Sequence, residues 1–210
     1  MKEYAKHIWR KARYSGFPRL VLDALGKLGL TIMPLYLFRE SLSLAGSLGP
    51  TEQTPELAAE FMSEGQTDEL SDLPGRTVSR EELVERLRRG NRCLGFRRQR
   101  DLVAFSWCDL EQCNFRGFQF PLQENEAYLF DAFTLVPYRG QRLAALVRLA
   151  LYRELAAIGK TRLLSLSYVL DRPAVRFKQQ LNAERLELLL FVELFRKWSF
   201  CTKVKSLSGS

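Results

Sequence analysis

The feature that most constrains the fold of this chain is a strand–helix–strand succession in its second half. Residues 127–136 form an apolar, aromatic-rich run that stops at Pro137, and residues 139–158 carry apolar side chains at helical spacing up to Gly159. Residues 161–169 are again apolar and rich in leucine. A strand that returns to its own sheet through a helix needs a right-handed crossover and pairs in parallel. The succession predicts an α/β or α+β domain with at least one parallel strand pair.

Apolar periodicity, capping residues and turn residues predict the other elements. Further strands are predicted at residues 30–39, 92–97, 101–109, 185–195 and 198–204, further helices at 54–62, 79–89 and 172–181, and loops at 43–55, 63–78 and 111–125. No internal repeat is evident. We expect one domain at residues 29–205, preceded by a basic helical leader at 1–28 and followed by a disordered tail at 206–210.

The charge balance favours an anionic partner. The 210 residues include 32 Lys and Arg against 24 Asp and Glu, which gives a formal net charge of +8. Such a charge suits a phosphorylated cofactor, nucleic acid, an acidic carrier protein or an anionic membrane surface. Hydrophobic residues make up 46% of the chain, a globular value that excludes a wholly disordered protein.

The cysteine and histidine content disfavours metal and covalent catalysis. The four cysteines contain no CxxC pair, and the only histidine is His7 in the leader. A zinc site, a Cys–His pair or a serine triad would each depend on that one imidazole. We therefore expect reduced thiols and no metal. Because residues 20–38 are interrupted by Asp23, Lys27, glycines and a proline, we also expect neither signal peptide nor membrane span, and a cytoplasmic location.

The leader of residues 1–28 is amphipathic. Tyr4, Ile8 and Ala12 fall on one stripe, and Lys and Arg residues crowd the rest of the first turns. Such a helix either packs on its own domain or lies on a membrane surface or an acidic partner.

The segment with the most chemical information joins the strand at 127–136 to the following helix. Its sequence is LVPYRGQRLAA, residues 135–145. A turn that runs into a helix N-terminus presents backbone N–H groups without acceptors, where the helix dipole is positive, so it attracts anions. The small residues Gly140 and Ala144 would let a pyrophosphate approach the backbone, and Arg139 and Arg142 add charge suited to phosphates.

This segment resembles the coenzyme A pyrophosphate signature of the GCN5-related N-acetyltransferase (GNAT) superfamily, Arg/Gln-x-x-Gly-x-Gly/Ala after a Val-x-Pro strand end. It reads Arg139-Gly140-Gln141-Arg142-Leu143-Ala144 here, with Arg142 at the middle glycine of the signature. Asp171-Arg172-Pro173-Ala174 followed by Phe177 resembles the superfamily's Asn-x-x-Ala-x-x-Phe/Leu segment, with Asp in place of Asn. The order of elements from residue 30 to residue 204 also matches.

The resemblance implies a mixed, mostly antiparallel central sheet with a splayed strand pair and flanking helices. It also implies acetyl-CoA or another acyl-CoA as co-substrate, whose pantetheine arm would pair with the backbone near Leu135 and Val136 and whose pyrophosphate would lie on the amides of residues 139–145. The implied coenzyme-binding residues are Leu135, Val136, Arg139, Gly140, Gln141, Arg142, Leu143, Ala144, Ala145, Asp171, Ala174, Phe177 and Lys178.

The implied reaction is direct attack of a primary amine on the thioester, most simply an N-acetylation. The amine must lose a proton, and Asp131 and Glu126 are the candidate bases. Asp131 lies in the apolar run of residues 129–133, where burial would raise its pKa. The superfamily often uses a tyrosine to protonate the leaving thiolate; this chain has Lys178 at that place, and Tyr168 is the candidate substitute.

The sequence leaves the acceptor and the partners open. A small-molecule amine is the expected acceptor, and neither its identity nor the oligomeric state is predicted. The leader and the arginines of residues 86–92 are compatible with an acidic acyl carrier protein as donor, as in long-chain N-acyl amino acid synthases, which are similar to this fold. A non-catalytic module that binds acyl-CoA or RNA is a different class of function. Nucleic acid is disfavoured because aromatic residues do not alternate with the basic run of residues 86–100.

Overall fold

A computed structural model describes residues 21–22, 24–42, 56–116 and 118–207. In chain order its elements are β1 (Leu30–Glu40), β2 (Leu57–Phe61), α1 (Thr67–Ser71), α2 (Arg80–Arg88), β3 (Arg92–Arg98), β4 (Asp101–Asp109), β5 (Gln112–Phe115), β6 (Phe118–Pro121), β7 (Glu126–Thr134), α3 (Leu143–Ala157), β8 (Arg162–Tyr168), α4 (Arg172–Gln180), β9 (Glu184–Leu194) and β10 (Trp198–Ser206). Short 3-10 helices occur at Glu64–Gln66 and Val136–Tyr138. The predicted leader lies largely outside the described residues, as do the whole loop at 43–55 and the last three residues of the tail.

The chain forms two compact units, each assembled from separate stretches. The larger unit consists of residues 41–113 and 121–164, and the smaller unit of residues 1–40, 114–120 and 165–210.

The larger unit is a five-stranded sheet with helices packed on it. Its strand order is β2, β3, β4, β7 and the beginning of β8, with antiparallel pairs up to β7 and a parallel pair between β7 and β8. β4 is buried from its second residue to its last, as expected of a strand whose two faces are both covered. α3 packs on β4 and β7 through Leu143, Val147, Leu151 and Leu155, which recur at helical spacing.

The smaller unit is built on three antiparallel strands in the order β10, β9, β1, with the rest of β8 beside β1. Its core includes Leu35 and Phe38 of β1 and Phe191 of β9, none of which is exposed. α4 begins at the predicted position, because the Asp171 side chain accepts a hydrogen bond from the Ala174 amide at 3.3 Å.

Most of the predicted elements are confirmed. The cap predicted at the start of α2 is present, since the Ser79 hydroxyl accepts a hydrogen bond from the Glu82 amide. Together the elements confirm the mixed, mostly antiparallel sheet with flanking helices.

Three predicted elements are wrong, one of them the loop predicted at 63–78, which contains the 3-10 helix Glu64–Gln66 and α1. The helix predicted at residues 54–62 is replaced by β2, which pairs with β3 over five residues and so satisfies its backbone groups along a sheet edge; Thr54 and Pro55 of the predicted cap lie outside the described residues. The predicted loop at 111–125 contains β5 and β6. The Asp109 carboxylate helps to start β5 by accepting hydrogen bonds from the amides of Glu111 and Gln112 at 2.9 and 3.0 Å.

No helix among the described residues is long and apolar enough to cross a lipid bilayer.

Gly95 in β3 is a position where the packing leaves no room for a side chain. A Cβ atom there would lie 2.8 Å from Leu102 Cδ1 and 2.9 Å from Met62 Sδ, both buried in the core of the larger unit. We expect Gly95→Ala to lower the free energy of unfolding by about 2 kcal/mol through overpacking. Urea denaturation followed by circular dichroism measures this change.

Gly65→Ala is the matched control. The nearest atom to its added Cβ is Ser63 Oγ at 3.9 Å, so the free energy of unfolding should change by less than about 0.5 kcal/mol. Equal stability of the two variants would contradict the packing described for β3.

Candidate functional site

The turn between β7 and α3 has the backbone geometry of an anion-binding loop. After the 3-10 helix Val136–Tyr138, Arg139 is extended, Gly140 has a φ of +83° and Arg142 a φ of +61°, and α3 begins at Leu143. α3 therefore starts four residues later than predicted. The residues predicted as its first turn form the loop that leads into it.

A row of backbone amides in this loop is available to a ligand. The amides of Ala145 and Leu146 donate to the Arg142 carbonyl at 2.9 and 3.1 Å, which closes the first turn of α3. Within the described part of the chain, nothing accepts a hydrogen bond from the five amides of residues 140–144. Consecutive free N–H groups at the N-terminus of a 15-residue helix form a site for an anion. We call residues 140–144 the amide cradle.

Arginine side chains surround the amide cradle, and sequence reasoning missed one of them. Arg98, at the end of β3, donates from Nη1 to Gln141 Oε1 at 3.3 Å, and its guanidinium lies 5.5 Å from the centre of the Tyr138 ring. The hairpin of β3 and β4 brings Arg98 here because β4 pairs with β7 up to Thr134. That hairpin was predicted, but its position beside the loop depends on a strand order that the sequence does not display.

Arg139 and Arg142 differ in orientation. Arg139 Nε donates to the Thr134 carbonyl at 3.1 Å, and its guanidinium lies over the Phe133 ring, so Arg139 anchors the loop to β7. Arg142 is exposed in the left-handed region, where the signature of the resembled superfamily has glycine. Its side chain is thus free to add positive charge at the surface of the amide cradle.

β7 has an unpaired edge next to the amide cradle. Its parallel pairing with β8 covers three residue pairs, from Glu126 with Arg162 to Tyr128 with Leu164. Among the described residues, no strand pairs with residues 129–134 on that edge, while the other edge continues to pair with β4. The splay of this strand pair stays a prediction.

Leu135 and Val136, which were predicted to pair with pantetheine, are largely occupied. The Leu135 amide donates to the Val103 carbonyl at 3.0 Å, and its carbonyl accepts from the Tyr138 amide at 2.9 Å. The Val136 carbonyl accepts from the Arg139 amide at 3.2 Å. Backbone groups for an extended ligand are therefore better supplied by residues 129–134 than by Leu135.

β7 changes direction at a bulge. Trp107 pairs with Phe130 and Phe105 with Phe133, so Asp131 and Ala132 together lie opposite Ser106 of β4. Asp131 has a φ of +44°, in the left-handed region. A bulge of this kind bends its strand and increases the local twist.

Asp131 is held by two arginines. Arg76 Nη1 and Nη2 donate to its carboxylate oxygens at 2.6 and 2.9 Å, and Arg86 Nη1 donates to Oδ2 at 2.7 Å. The guanidinium of Arg76 lies over the rings of Phe105 and Phe133, and that of Arg86 over Trp107 and Phe130. We call Arg76, Arg86 and Asp131 the bulge ion cluster.

The predicted raised pKa of Asp131 is wrong. Burial acts to raise the pKa, but the hydrogen bonds and positive charges of Arg76 and Arg86 outweigh it and lower the pKa below its ordinary value. A carboxylate with a lowered pKa and with both oxygens bound to guanidinium groups is a poor proton acceptor. We therefore assign Asp131 a structural role in place of the predicted role as general base.

Glu126, the other predicted base, also has its carboxylate oxygens bound by other groups of the protein. It is buried at the start of β7, where Oε1 lies 2.8 Å from Arg162 Nη1 and Oε2 accepts a hydrogen bond from the Gln123 amide at 2.9 Å. These contacts tie the first residues of β7 to those of β8 and to the preceding turn.

The second predicted coenzyme-binding segment and the predicted acid belong to the smaller unit. Asp171 is the N-cap of α4. Lys178 is 4% exposed; its Nζ lies 3.4 Å from Glu40 Oε1 and 3.3 Å from the Leu166 carbonyl, so the structure places it in a buried ion pair rather than at a ligand-accessible surface. Tyr168, Ala174 and Phe177 are half-buried.

The bulge ion cluster predicts how stability depends on pH. Asp131→Asn removes the negative charge between two largely buried arginines and should lower the free energy of unfolding by about 3 kcal/mol at pH 7. Because the folded pKa of Asp131 is lowered, its contribution is complete above the ordinary pKa and is lost as the pH falls below about 4. Urea titrations at several pH values measure both effects.

The Asp131→Asn variant should therefore show a smaller loss of stability on acidification than the parent protein. Asp68→Asn is the control, since Asp68 is an exposed partner of Arg80 and should have little effect. A variant as stable as the parent at pH 7 would refute the structural role of Asp131.

The left-handed conformation of Arg142 predicts a stabilising substitution. Arg142→Gly should raise the free energy of unfolding by about 0.5–1 kcal/mol, because glycine adopts a φ of +61° without a Cβ penalty. Thermal denaturation measures this gain, and a loss of stability would contradict the backbone geometry of the loop.

Comparison with known proteins supports the fold and leaves the activity to be inferred. No family model and no curated protein matches the sequence. A solved Drosophila protein shares 15% identity over 87% of this chain and 59% of its own, with a TM-score of 0.58. A GNAT-family protein from Novosphingobium aromaticivorans shares 19% identity over 84% of this chain and 69% of its own, with a TM-score of 0.55. A tandem GNAT protein from the clavulanic acid biosynthesis pathway shares 14% identity over 90% of this chain and 59% of its own, with a TM-score of 0.54.

The chain thus spans about three fifths of the length of the first and third of these proteins. At identities this low the similarity concerns the backbone. It confirms the resemblance drawn from residues 135–145 at the level of fold: the chain has the fold of the GNAT acetyltransferases.

Proposed function

We propose that this protein is an N-acyltransferase that transfers an acyl group, most simply acetyl, from coenzyme A to a primary amine. The observation that carries the proposal is the amide cradle: five consecutive free amides at a helix N-terminus, on a fold shared with GNAT proteins. Five N–H groups and a positive helix end suit the two adjacent charges of a pyrophosphate better than a single carboxylate.

The residues around the amide cradle fit such a ligand. The φ of +83° at Gly140 is one that glycine adopts freely, and among the described residues beyond its two chain neighbours no atom lies within 4 Å of where its Cβ would be, so the loop is open above the backbone. Arg142 supplies positive charge beside the amides, and so does Arg98, whose Nε also lies 3.7 Å from the exposed carboxylate of Glu56. The unpaired edge of β7 offers backbone groups to the amides of a pantetheine arm.

The bound coenzyme would supply an activated acyl carbonyl, and the protein would supply position. Free N–H groups on the β7 edge can polarise a carbonyl, and fixing both reactants removes much of the entropic cost of their encounter. Since Asp131 and Glu126 are both committed to arginines, we propose that the amine loses its proton to water.

Coenzyme A is favoured over an acyl carrier protein as the donor. The arginine run predicted to dock a carrier is largely used inside the larger unit: Arg86 pairs with Asp131 and Glu82, Arg88 with Glu64, and Arg89 with Glu85. Arginines that already hold carboxylates offer less charge to an acidic carrier.

Thermal shift with two ligands tests the proposed function. Coenzyme A should raise the melting temperature by mass action, and pantetheine, which lacks the pyrophosphate, should have a much smaller effect at the same concentration. Absence of a response to coenzyme A and acetyl-CoA would overturn the proposal. If both bind, thiol release from acetyl-CoA with a panel of primary amines tests turnover, and binding without any turnover would reduce the protein to an acyl-CoA-binding module.

An isosteric substitution tests the amide cradle itself. Gln141→Glu places a carboxylate within the row of amides and neutralises Arg98, so the dissociation constant of coenzyme A should rise at least about tenfold. Ala157→Glu, at the far end of α3, makes the same change in net charge and should leave the dissociation constant within about twofold. Isothermal titration calorimetry measures both, and equal affinities of the two variants would exclude the cradle as the binding site.

A further inference from the structure

A group of large apolar side chains is exposed on the smaller unit, at the hairpin of β9 and β10. The exposed fractions are 66% for Phe195, 63% for Trp198 and 61% for Phe200, and Leu28, just before β1, is 75% exposed. Val204, farther along β10, is 57% exposed. Single exposed apolar residues are ordinary, but three aromatic side chains within six residues mark a surface for interaction. We call residues 195–206 the aromatic hairpin.

The tip of the aromatic hairpin is built from residues that ordinary turns avoid. The Lys197 amide donates to the Leu194 carbonyl at 3.0 Å, and the two residues between them, Phe195 and Arg196, have φ values of +49° and +56°. Positive φ values at two consecutive turn positions favour Asn and Gly. A bulky aromatic residue and an arginine there cost conformational energy, and such strain is typical of functional sites.

Contacts with the start of β1 fix this tip. The Phe195 amide donates to the Gly29 carbonyl at 2.6 Å, and its ring lies so close to Gly29 that a Cβ there would overlap Phe195 Cδ1. The exposed side chain of Phe195 is therefore held in place by the backbone of the neighbouring segment.

The exposed aromatic residues continue a larger apolar sheet face. Trp198 pairs with Leu194 and Phe200 with Val192, and the same face extends onto β1 at Leu30 and Ile32, which pair with these two residues of β9. Leu194, Val192, Leu30 and Ile32 are all half-buried. The aromatic side chains thus protrude from a rigid sheet.

The charge of the aromatic hairpin identifies the kind of partner. It carries Arg196, Lys197, Lys203 and Lys205, and the sequence has no acidic residue from position 194 to position 210. Lys203 pairs with Glu187 of β9, and Lys197 lies 5.3 Å from the centre of the Trp198 ring. Aromatic side chains among basic ones are the combination that binds anionic lipid surfaces, where rings lie at the headgroup level and each Lys or Arg attracts lipid phosphates.

We propose that the aromatic hairpin docks this protein on an anionic lipid surface, with Phe195, Trp198 and Phe200 inserted among the headgroups and Arg196 and Lys197 on the phosphates. This site is separate from the amide cradle and does not depend on the proposed function.

Two other occupants fit the hairpin less well. Edge pairing with a second copy is disfavoured, because Lys203 and Lys205 flank a bulge in β10, and lysines and bulges both block edge-to-edge association. Nucleic acid is disfavoured because the aliphatic Leu28 and Val204 provide no stacking surface and the Trp198 ring already has Lys197 near its face.

Vesicle binding by the full chain tests the proposal. The protein should sediment with vesicles of phosphatidylcholine and phosphatidylglycerol in equal parts, should not sediment with phosphatidylcholine alone, and should be released by high salt. On the mixed vesicles Trp198 emission should shift to the blue and be quenched by brominated lipid. Because the chain has three tryptophans, the emission is measured in a Trp9→Phe background, where Trp198→Phe should remove the shift while keeping most of the binding, since Trp107 is fully buried.

Two double variants locate the contact. Trp198→Ser/Phe200→Ser should lower the vesicle partition coefficient at least about tenfold, and Arg196→Gln/Lys197→Gln should lower it by roughly tenfold or more. The control for the serine variant is Ile158→Ser, at an exposed apolar position on the larger unit. The control for the glutamine variant is Arg88→Gln/Arg89→Gln, which makes the same change in net charge. Each control should lower the vesicle partition coefficient less than twofold.

Three results would overturn the proposal. The first is that either hairpin variant partitions onto vesicles as the parent protein does. The second is that excess poly-uridine abolishes vesicle binding while the serine substitutions have no effect, and the third is that the protein forms a dimer without vesicles and Trp198→Ser/Phe200→Ser dissociates it. The first would transfer any lipid contact to another part of the chain, the second would indicate nucleic acid, and the third a second copy.

Discussion

The bulge ion cluster is the interaction on which the candidate site depends. Asp131 occupies a left-handed position in β7, and burying its carboxylate is tolerable only because Arg76 and Arg86 meet both oxygens. Those arginines are in turn packed over the rings that pair across β4 and β7. The cluster therefore fixes the bend of β7 just after its pairing with β8 ends, and the direction of β7 determines where the amide cradle lies.

The amide cradle then follows from the way β7 ends. Pro137 lies in a 3-10 turn, Arg139 returns to the Thr134 carbonyl, and positive φ values at Gly140 and Arg142 rotate the backbone so that consecutive amides have no acceptor among the described residues. One of these two positions is occupied by an arginine rather than a glycine, so the loop accepts some strain and gains a positive charge. The same geometry that leaves the amides unsatisfied makes them available to a phosphate.

Local signals in the sequence were sufficient for elements whose ends carry their own caps. Ser79 at α2 and Asp171 at α4 accept the hydrogen bonds that start these helices; the starts of both helices were predicted, but only Ser79 was predicted as a cap. The environment of Asp131 could not be predicted from the sequence, because its partner Arg76 is 55 residues away in a segment predicted as a loop. The apolar neighbours of Asp131 in the sequence indicated a raised pKa. The helix predicted at residues 54–62 was wrong for a related reason. The local sequence favoured a helix cap, but pairing with the distant strand β3 stabilises the segment as a strand.

The net charge of +8 indicates where a partner could bind only after the arginines in internal ion pairs are set aside. Arg76, Arg86 and Arg97 are consumed by carboxylates of the larger unit, with Glu60 and Glu69 both on Arg97, so their charge is not offered to a partner. Positive charge with fewer internal partners remains around the amide cradle and on the aromatic hairpin. Around the amide cradle, guanidinium groups lie beside free backbone amides, a combination that binds phosphate. On the aromatic hairpin, lysines lie beside exposed rings, a combination that binds a lipid surface. The net charge of the sequence cannot distinguish these two surfaces. The distinction depends on which cationic side chains are already paired and on which groups lie beside the remaining ones.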